Sequence, residues 1–344
     1  MKIIYHIVFA CSILLGCMSC SKHSNTNNPC DISLGNVYAS PYSEPIWHPS
    51  GKVIGFNHTP TKSINFGTAS KCYIDADYTF NVDSTGFWLI NSDGTNQRRI
   101  LPYTLVSPSW SADGKWLAYS QNGTIYKMPF DGQKLDTNAI VQLSTIGNNV
   151  SPTWNYQSNK IAYVETVCNT TTQCGIWLYD STSQANINQF LVMYGTDPSW
   201  LHSSDSFLYH TTYYGTDGFR GGDSLWVYSQ INHQKQFLKF IGTPYVNNRI
   251  FQASPDDSKI AFVAQSNISN AGVQICTINI DGSNFKQLTT SGAQQFTWGP
   301  DGRMVYVDFD NVTIDQSHGV LWIMNADGSN KTQLTYNRYV VINP

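Results

Sequence analysis

A short pattern returns six times along this chain and limits what it can fold into more than any other feature. In its clearest copy, Ser107-Pro108-Ser109-Trp110-Ser111-Ala112-Asp113-Gly114-Lys115-Trp116-Leu117-Ala118-Tyr119-Ser120, an Asp-Gly pair separates two strand-length runs. Asp-Gly between such runs marks a tight hairpin turn, because glycine accepts the positive φ that the turn needs. The same register recurs at Trp47, Trp154, Trp200 and Trp298, with Ala253 in the tryptophan place of the fifth copy. Seven residues beyond the anchors stand Ile54, Leu117, Ile161, Phe207, Ile260 and Val305, and nine beyond stand Phe56, Tyr119, Tyr163, Tyr209, Phe262 and Val307. Successive anchors are 63, 44, 46, 53 and 45 residues apart, room in each unit for a third strand such as Leu321-Trp322-Ile323-Met324 and a short fourth. Asp93-Gly94, Asp131-Gly132, Asp281-Gly282 and Asp327-Gly328 supply the turns that follow the third strands. Four strands per unit at this period is the pattern of propeller blades. The sequence therefore predicts an all-β chain, a six-bladed β-propeller of four-stranded antiparallel blades. Ala253 leaves a smaller anchor, so the fifth blade is expected to be the weakest.

The pattern Pro-x-Trp-x-x-Asp-Gly-Lys-x-Leu-Ala-Tyr resembles the TolB-type, WD-like propeller repeat. Its second half matches best in Asn279-Ile280-Asp281-Gly282-Ser283-Asn284 with Gln287-Leu288-Thr289, and in Asn325-Ala326-Asp327-Gly328-Ser329-Asn330 with Gln333-Leu334-Thr335. The resemblance spans about residues 44 to 335 and implies the fold. It does not choose among translocation proteins, peptidase propellers and polysaccharide lyases, which share it.

The amino terminus reads as an export signal. Met1-Lys2 and the apolar run from Ile3 to Leu15 form a basic region and a hydrophobic region too short to span a bilayer. They end in Leu14-Leu15-Gly16-Cys17, which resembles a bacterial lipobox with Cys17 as the lipidated residue and Cys20 as the alternative. The expected organisation is a lipoprotein signal peptide over 1–17, a polar flexible tether over 18–43 and the propeller over 44–344. Charged residues make only 12% of the chain and the net charge is -3, which argues against a nucleic-acid partner. No second apolar stretch is long enough to span, so the membrane is reached through the lipid alone. An exported chain permits disulfides, and Cys168 and Cys174 bracket a hairpin they could cross-link. Cys30 and Cys72 form a weaker candidate pair, and Cys276, inside a strand, is expected to be buried and inert.

Strand direction places function. The long insertions, 57–86, 165–175, 211–223, 264–272 and 308–319, all fall on the face where the first strands begin, here the near face. The opposite, hairpin face is expected to carry only minimal turns. Binding residues favour loops on a rigid scaffold. His58, Glu165, His210 and Asp308 fall at near-face ends of second strands, where a His and carboxylate set could do acid-base chemistry if they converged. Tyr213, Tyr214 and Arg220 belong to the most distinctive insertion, whose stiff rings and forked guanidinium suit a glycan or peptide ligand. Asp75, Asp77 and Asp83, or Asp308, Asp310 and Asp315, offer oxygen ligands but follow no calcium-loop spacing, so no metal and no cofactor are expected. No Gly-x-Ser-x-Gly elbow, His-Glu-x-x-His or phosphate-binding loop is present. The reading is a monomeric, lipid-anchored binding or scaffold propeller of the bacterial envelope, expected at the outer membrane facing the periplasm or the surface, with an envelope protein or glycan as partner. The alternative is a glycan-processing lyase or hydrolase with its site at the channel mouth.

Overall fold

A computed structural model describes residues 33–34, 41–66, 73–74, 76–145, 147–168, 173–183, 188–214, 220–242, 245–266, 273–290, 292–308, 319–336 and 340–342. Six four-stranded antiparallel sheets each run in simple sequence order from the channel outward. Their first strands are Tyr42–Trp47, Val106–Trp110, Asn149–Trp154, Thr196–Trp200, Tyr245–Ala253 and Ala293–Trp298. These touch one another in ring order and close from blade 6 back to blade 1.

The repeat positions explain the packing. All five anchor tryptophans are buried, and so is every residue seven positions beyond an anchor. The anchors also tie blades together. Trp200 Nε1 donates to the Thr153 carbonyl of blade 3 at 3.0 Å, and Trp298 Nε1 to the Gln252 carbonyl of blade 5 at 3.3 Å. The Trp47 indole lies so close over Gly299 of blade 6 that a Cβ there would stand 2.7 Å from it, so the ring-closing contact requires glycine. Blade 5 makes good its missing indole. Phe251, two residues before Ala253, is fully buried and stacks on Phe262 at 5.1 Å.

The Asp-Gly turns form as the sequence predicts, and their aspartates organise them. Asp93, Asp131, Asp281 and Asp327 each accept a backbone N–H from two residues on, at 2.8–2.9 Å. Blade 2 departs from minimal hairpins on this face. Eleven residues separate its third strand, Thr124–Pro129, from its fourth, Val141–Gln142, and include a 3-10 turn over Thr137–Ala139. The longer path has a packing reason, since Phe130 and Leu135 fold back beneath Trp110 and fill the core there.

Blade 1's insertion contains its own hairpin, Thr61–Phe66 with Ala76–Phe80, and the carboxyl-terminal strand Val340–Ile342 pairs in parallel with its residues Ser63 to Asn65. This clasp lies beside blade 1 rather than within it, for all four strands of blade 1 come from one continuous stretch of chain. Ser33–Leu34, inside the stretch expected to be a tether, pairs in parallel with Tyr73–Ile74. No helix of the described residues is long and apolar enough to cross a membrane.

Candidate functional site

A central channel of about 400 Å³ is walled by the first strands of all six blades. Its wall is built by one repeated irregularity. Each first strand slips register against its second strand near the position three residues before the anchor. In five blades that residue is left-handed and not glycine: Glu44, Ser107, Ser151, Asp197 and Ile250, with φ of 51, 48, 53, 47 and 57°. Such a bulge re-aims a side chain and costs about 1–2 kcal/mol at each non-glycine residue. The result is a ring of side chains at one depth of the channel. Its two carboxylates, Glu44 and Asp197, come from blades 1 and 4, on opposite sides of a six-blade ring. Burial pushes the Glu44 carboxyl up to about 7.

Asp197 belongs to a cluster of opposite charges built around a buried histidine. His210, 4% exposed, lies between two aspartates: its Nε2 is 3.1 Å from Asp197 Oδ2 and its Nδ1 is 3.3 Å from Asp223 Oδ1. The Thr196 hydroxyl is 2.9 Å from Nε2, and the Thr212 hydroxyl donates to Asp223 at 3.1 Å. Burial alone would lower the His210 pKa, but the hydrogen bonds and charges of the two carboxylates overcome it and push the pKa up to about 9. The ring is therefore an imidazolium at neutral pH. Asp197 is held below the usual carboxylate range in spite of its own burial, by His210, the Ile250 N–H and the charge of Arg249. That N–H comes from blade 5 and donates to Asp197 Oδ2 at 2.9 Å, while the His210 ring packs on Phe251 at 4.8 Å. The cluster thus clamps three strands of blade 4 to the next blade. The local fold dictates it, because Thr196 pairs with His210 and Thr212 with Asp223 in adjacent ladders.

The other sequence-predicted residues have separate, local surroundings. His58 stacks on Tyr42 at 4.2 Å, and burial lowers its pKa to about 4, so it is neutral. Glu165 accepts the backbone N–H groups of Asn148 and Val167 at 3.0 and 2.9 Å and so caps a near-face loop. Asp308 is buried at the near-face end of blade 6, opposite Ala293. None of His58, Glu165, His210 and Asp308 lines the channel cavity, and the first three contact separate partners, His58 by ring stacking and the other two by hydrogen bonds. The channel reaches the hairpin face instead, where Tyr156 stacks on His202 at 3.6 Å and Asp257 of blade 5 accepts the His202 N–H at 2.9 Å.

Tyr213 and Tyr214 are 53% and 63% exposed, on an outgrowth of blade 4. The second, third and fourth strands of this blade, Ser206–Tyr214, Arg220–Ser229 and Lys235–Gly242, are each the longest of their kind among the described residues. Tyr213 meets Phe240 edge to face at 6.1 Å, and a Cβ on either Gly222 or Gly242 would strike the Phe240 ring, which lies flat against the strands. Arg220 lies in the third strand.

Cys168 and Cys174 face each other with Cα atoms 4.7 Å apart, and Cys276 is fully buried, its thiol pushed up to about 12 by burial. Cys17, Cys20, Cys30, Cys72, Asp75, Asp310 and Asp315 lie outside the described residues. Among the described residues, no three His, Cys, Asp or Glu side chains group as metal ligands.

Sequence reasoning singled out His210 but missed Asp197 and Glu44. The signal was present: counting three back from each anchor gives Glu, Ser, Ser, Asp, Ile and Gln, and the two acids stand out.

No curated protein matches the chain by sequence. Among solved structures it is similar to a protein of Agrobacterium tumefaciens described as TolB, with a TM-score of 0.54 at 20% identity over 70% of this chain and 84% of that one. TolB of Acinetobacter baumannii gives 0.55 at 18% identity over 72% of this chain, which spans 59% of that longer protein. An oligogalacturonate lyase in complex with manganese gives 0.52 at 11% identity, over 86% and 77% of the two chains. At these identities the likeness is one of fold. The model of the TolB beta propeller domain matches residues 71–344, and the chain belongs to that family.

Proposed function

We propose that the protein is a lipid-anchored binding or scaffold propeller of the bacterial envelope, and that its protein or glycan partner docks on the near-face outgrowth of blade 4. The observation that carries this reading is the exposed set Tyr213, Tyr214 and Phe240 on strands longer than the fold requires. Ordering extra residues costs entropy, and extra length holding large exposed rings marks an interaction surface more often than a structural need. The alternative acid-base site gains no support, because His58, Glu165 and His210 are engaged apart from one another. The lipobox-like Leu14-Leu15-Gly16-Cys17 supplies the anchor, and the Cys168–Cys174 approach, read as a disulfide, suits an oxidising compartment.

Two variants test this. Replacing residues 213–222 by a Gly-Ser turn joins Thr212 to Asp223, which are already register partners, and spares the His210 cluster. Thermal unfolding should stay within a few degrees while partner binding falls at least tenfold. Equal loss of stability would make these rings core and end the binding-face reading. Cys17→Ser should abolish acyl labelling and membrane association, while Cys20→Ser keeps both. The reverse pattern would move the lipid to Cys20, and no labelling of the parent would refute the anchor.

A further inference from the structure

A second cavity, of about 430 Å³, lies at the seam where blade 6 meets blade 1, away from the channel and from blade 4. Its volume is in the range of small-ligand sites. Tyr42, His58, Trp88 and Tyr336 supply aromatic wall, and Thr61 and Gln97 supply a hydroxyl and an amide. The rings do not converge as a cage. His58 lies face to face on Tyr42, with interplanar angle 14°, and edge-on to Trp88 at 5.6 Å; since Tyr42 is buried beneath it, His58 and Trp88 supply the ring surface that faces the cavity. Tyr42 also donates its hydroxyl to the Tyr336 carbonyl at 3.3 Å, which ties these rings across the seam. Trp88 Nε1 is already occupied by the Ser84 carbonyl at 3.2 Å, which fixes that ring. His58 Nδ1 is a buried polar atom with no hydrogen-bond partner, a rare condition in a folded chain.

Among the described residues, no acidic or basic side chain besides His58 lines the cavity, and His58, whose pKa burial lowers to about 4, is uncharged at neutral pH. A lining without charge disfavours uronates, phosphates and ammonium groups, which would be desolvated there without a counter-charge. What remains is a ligand with a flat C–H face for the rings and hydroxyls at its edge for an amide and a hydroxyl. We propose that this seam cavity binds a neutral sugar residue, packed against the Trp88 and His58 rings and hydrogen-bonded at its edge by Gln97 and Thr61. The site is independent of the blade 4 surface and stands or falls separately from it.

The test uses the full chain without its signal, titrated with glucose, galactose, N-acetylglucosamine and cellobiose, and with galacturonate and choline as charged counterparts. Intrinsic tryptophan fluorescence, to which Trp88 contributes, and ligand-observed NMR read binding. At least one neutral sugar should saturate and shift the emission, with galacturonate and choline at least tenfold weaker. Tyr336→Ala and Gln97→Ala both alter exposed residues, so they should leave thermal unfolding unchanged and each weaken that sugar about tenfold. The exposed Ile231→Ser on blade 4 should change nothing. The proposal is overturned if no neutral sugar saturates, if a charged ligand binds as well, or if both wall variants bind like the parent. Tighter binding of choline than of any sugar would identify the cavity as a cation site instead.

Discussion

His210→Ala should destabilise the propeller by about 3–5 kcal/mol at pH 7, because it removes the cation between two carboxylates and leaves Asp223, wholly inaccessible to solvent, without it. Chemical denaturation of parent and variant measures this directly. The pH dependence is more diagnostic than the loss itself. The folded-state pKa, about 9, lies above the unfolded value near 6.5. Stabilisation from this group is therefore complete below about pH 6.5 and is lost as pH rises through about 9. The parent should lose stability between about pH 7 and 10, and His210→Ala should lack that segment of the curve. A parent curve flat over this interval, or a variant that follows the same slope, would show that the ring is neutral in the fold.

The second large effect concerns the repeat itself. Trp200 is 2% exposed, meets Phe207 edge to face at 5.3 Å and bonds to blade 3 through its indole N–H. Trp200→Ala should cost about 3–5 kcal/mol, mostly through the cavity it leaves. For a domain of this size that is a fall of about 10 °C in Tm. Trp200→Phe keeps most of the apolar volume and loses the hydrogen bond, so it should cost about 1 kcal/mol. Calorimetry that found the two variants equal would place the inter-blade bond, rather than packing, at the centre of the repeat's stability.

The blade architecture was legible because it is local and repeated. An anchor, a tight turn that is Asp-Gly in two copies, and a strand that is large, small and large in four recur within about fifteen positions, and six copies correct one another. Where one copy deviates, the compensation comes from an unmarked place: Ala253 suggested a weak fifth blade, but the Phe251 ring fills the core beside it. The left-handed residues lining the channel share no residue type, since Glu, Ser, Asp and Ile occupy them; their mark in the sequence is their place three before each anchor, and the bulge explains why that place faces the channel. The polar cluster was half visible. His210 stood out as a strand-end histidine, yet its charge state depends on Asp197 and Asp223, brought to it by strand register. The clasp of Val340–Ile342 on Ser63 to Asn65 joins opposite ends of the chain and leaves no local pattern to read.

The near-face outgrowth was expected from insertion length alone, and Tyr213 and Tyr214 are exposed there. A photo-crosslinking residue placed at position 214 in living cells tests the binding-face reading most directly, with the same residue at 156 on the channel's hairpin rim as the comparison. The account predicts a discrete, light-dependent adduct from 214 and none from 156. An adduct from 156 with none from 214 would contradict it and place recognition at the channel.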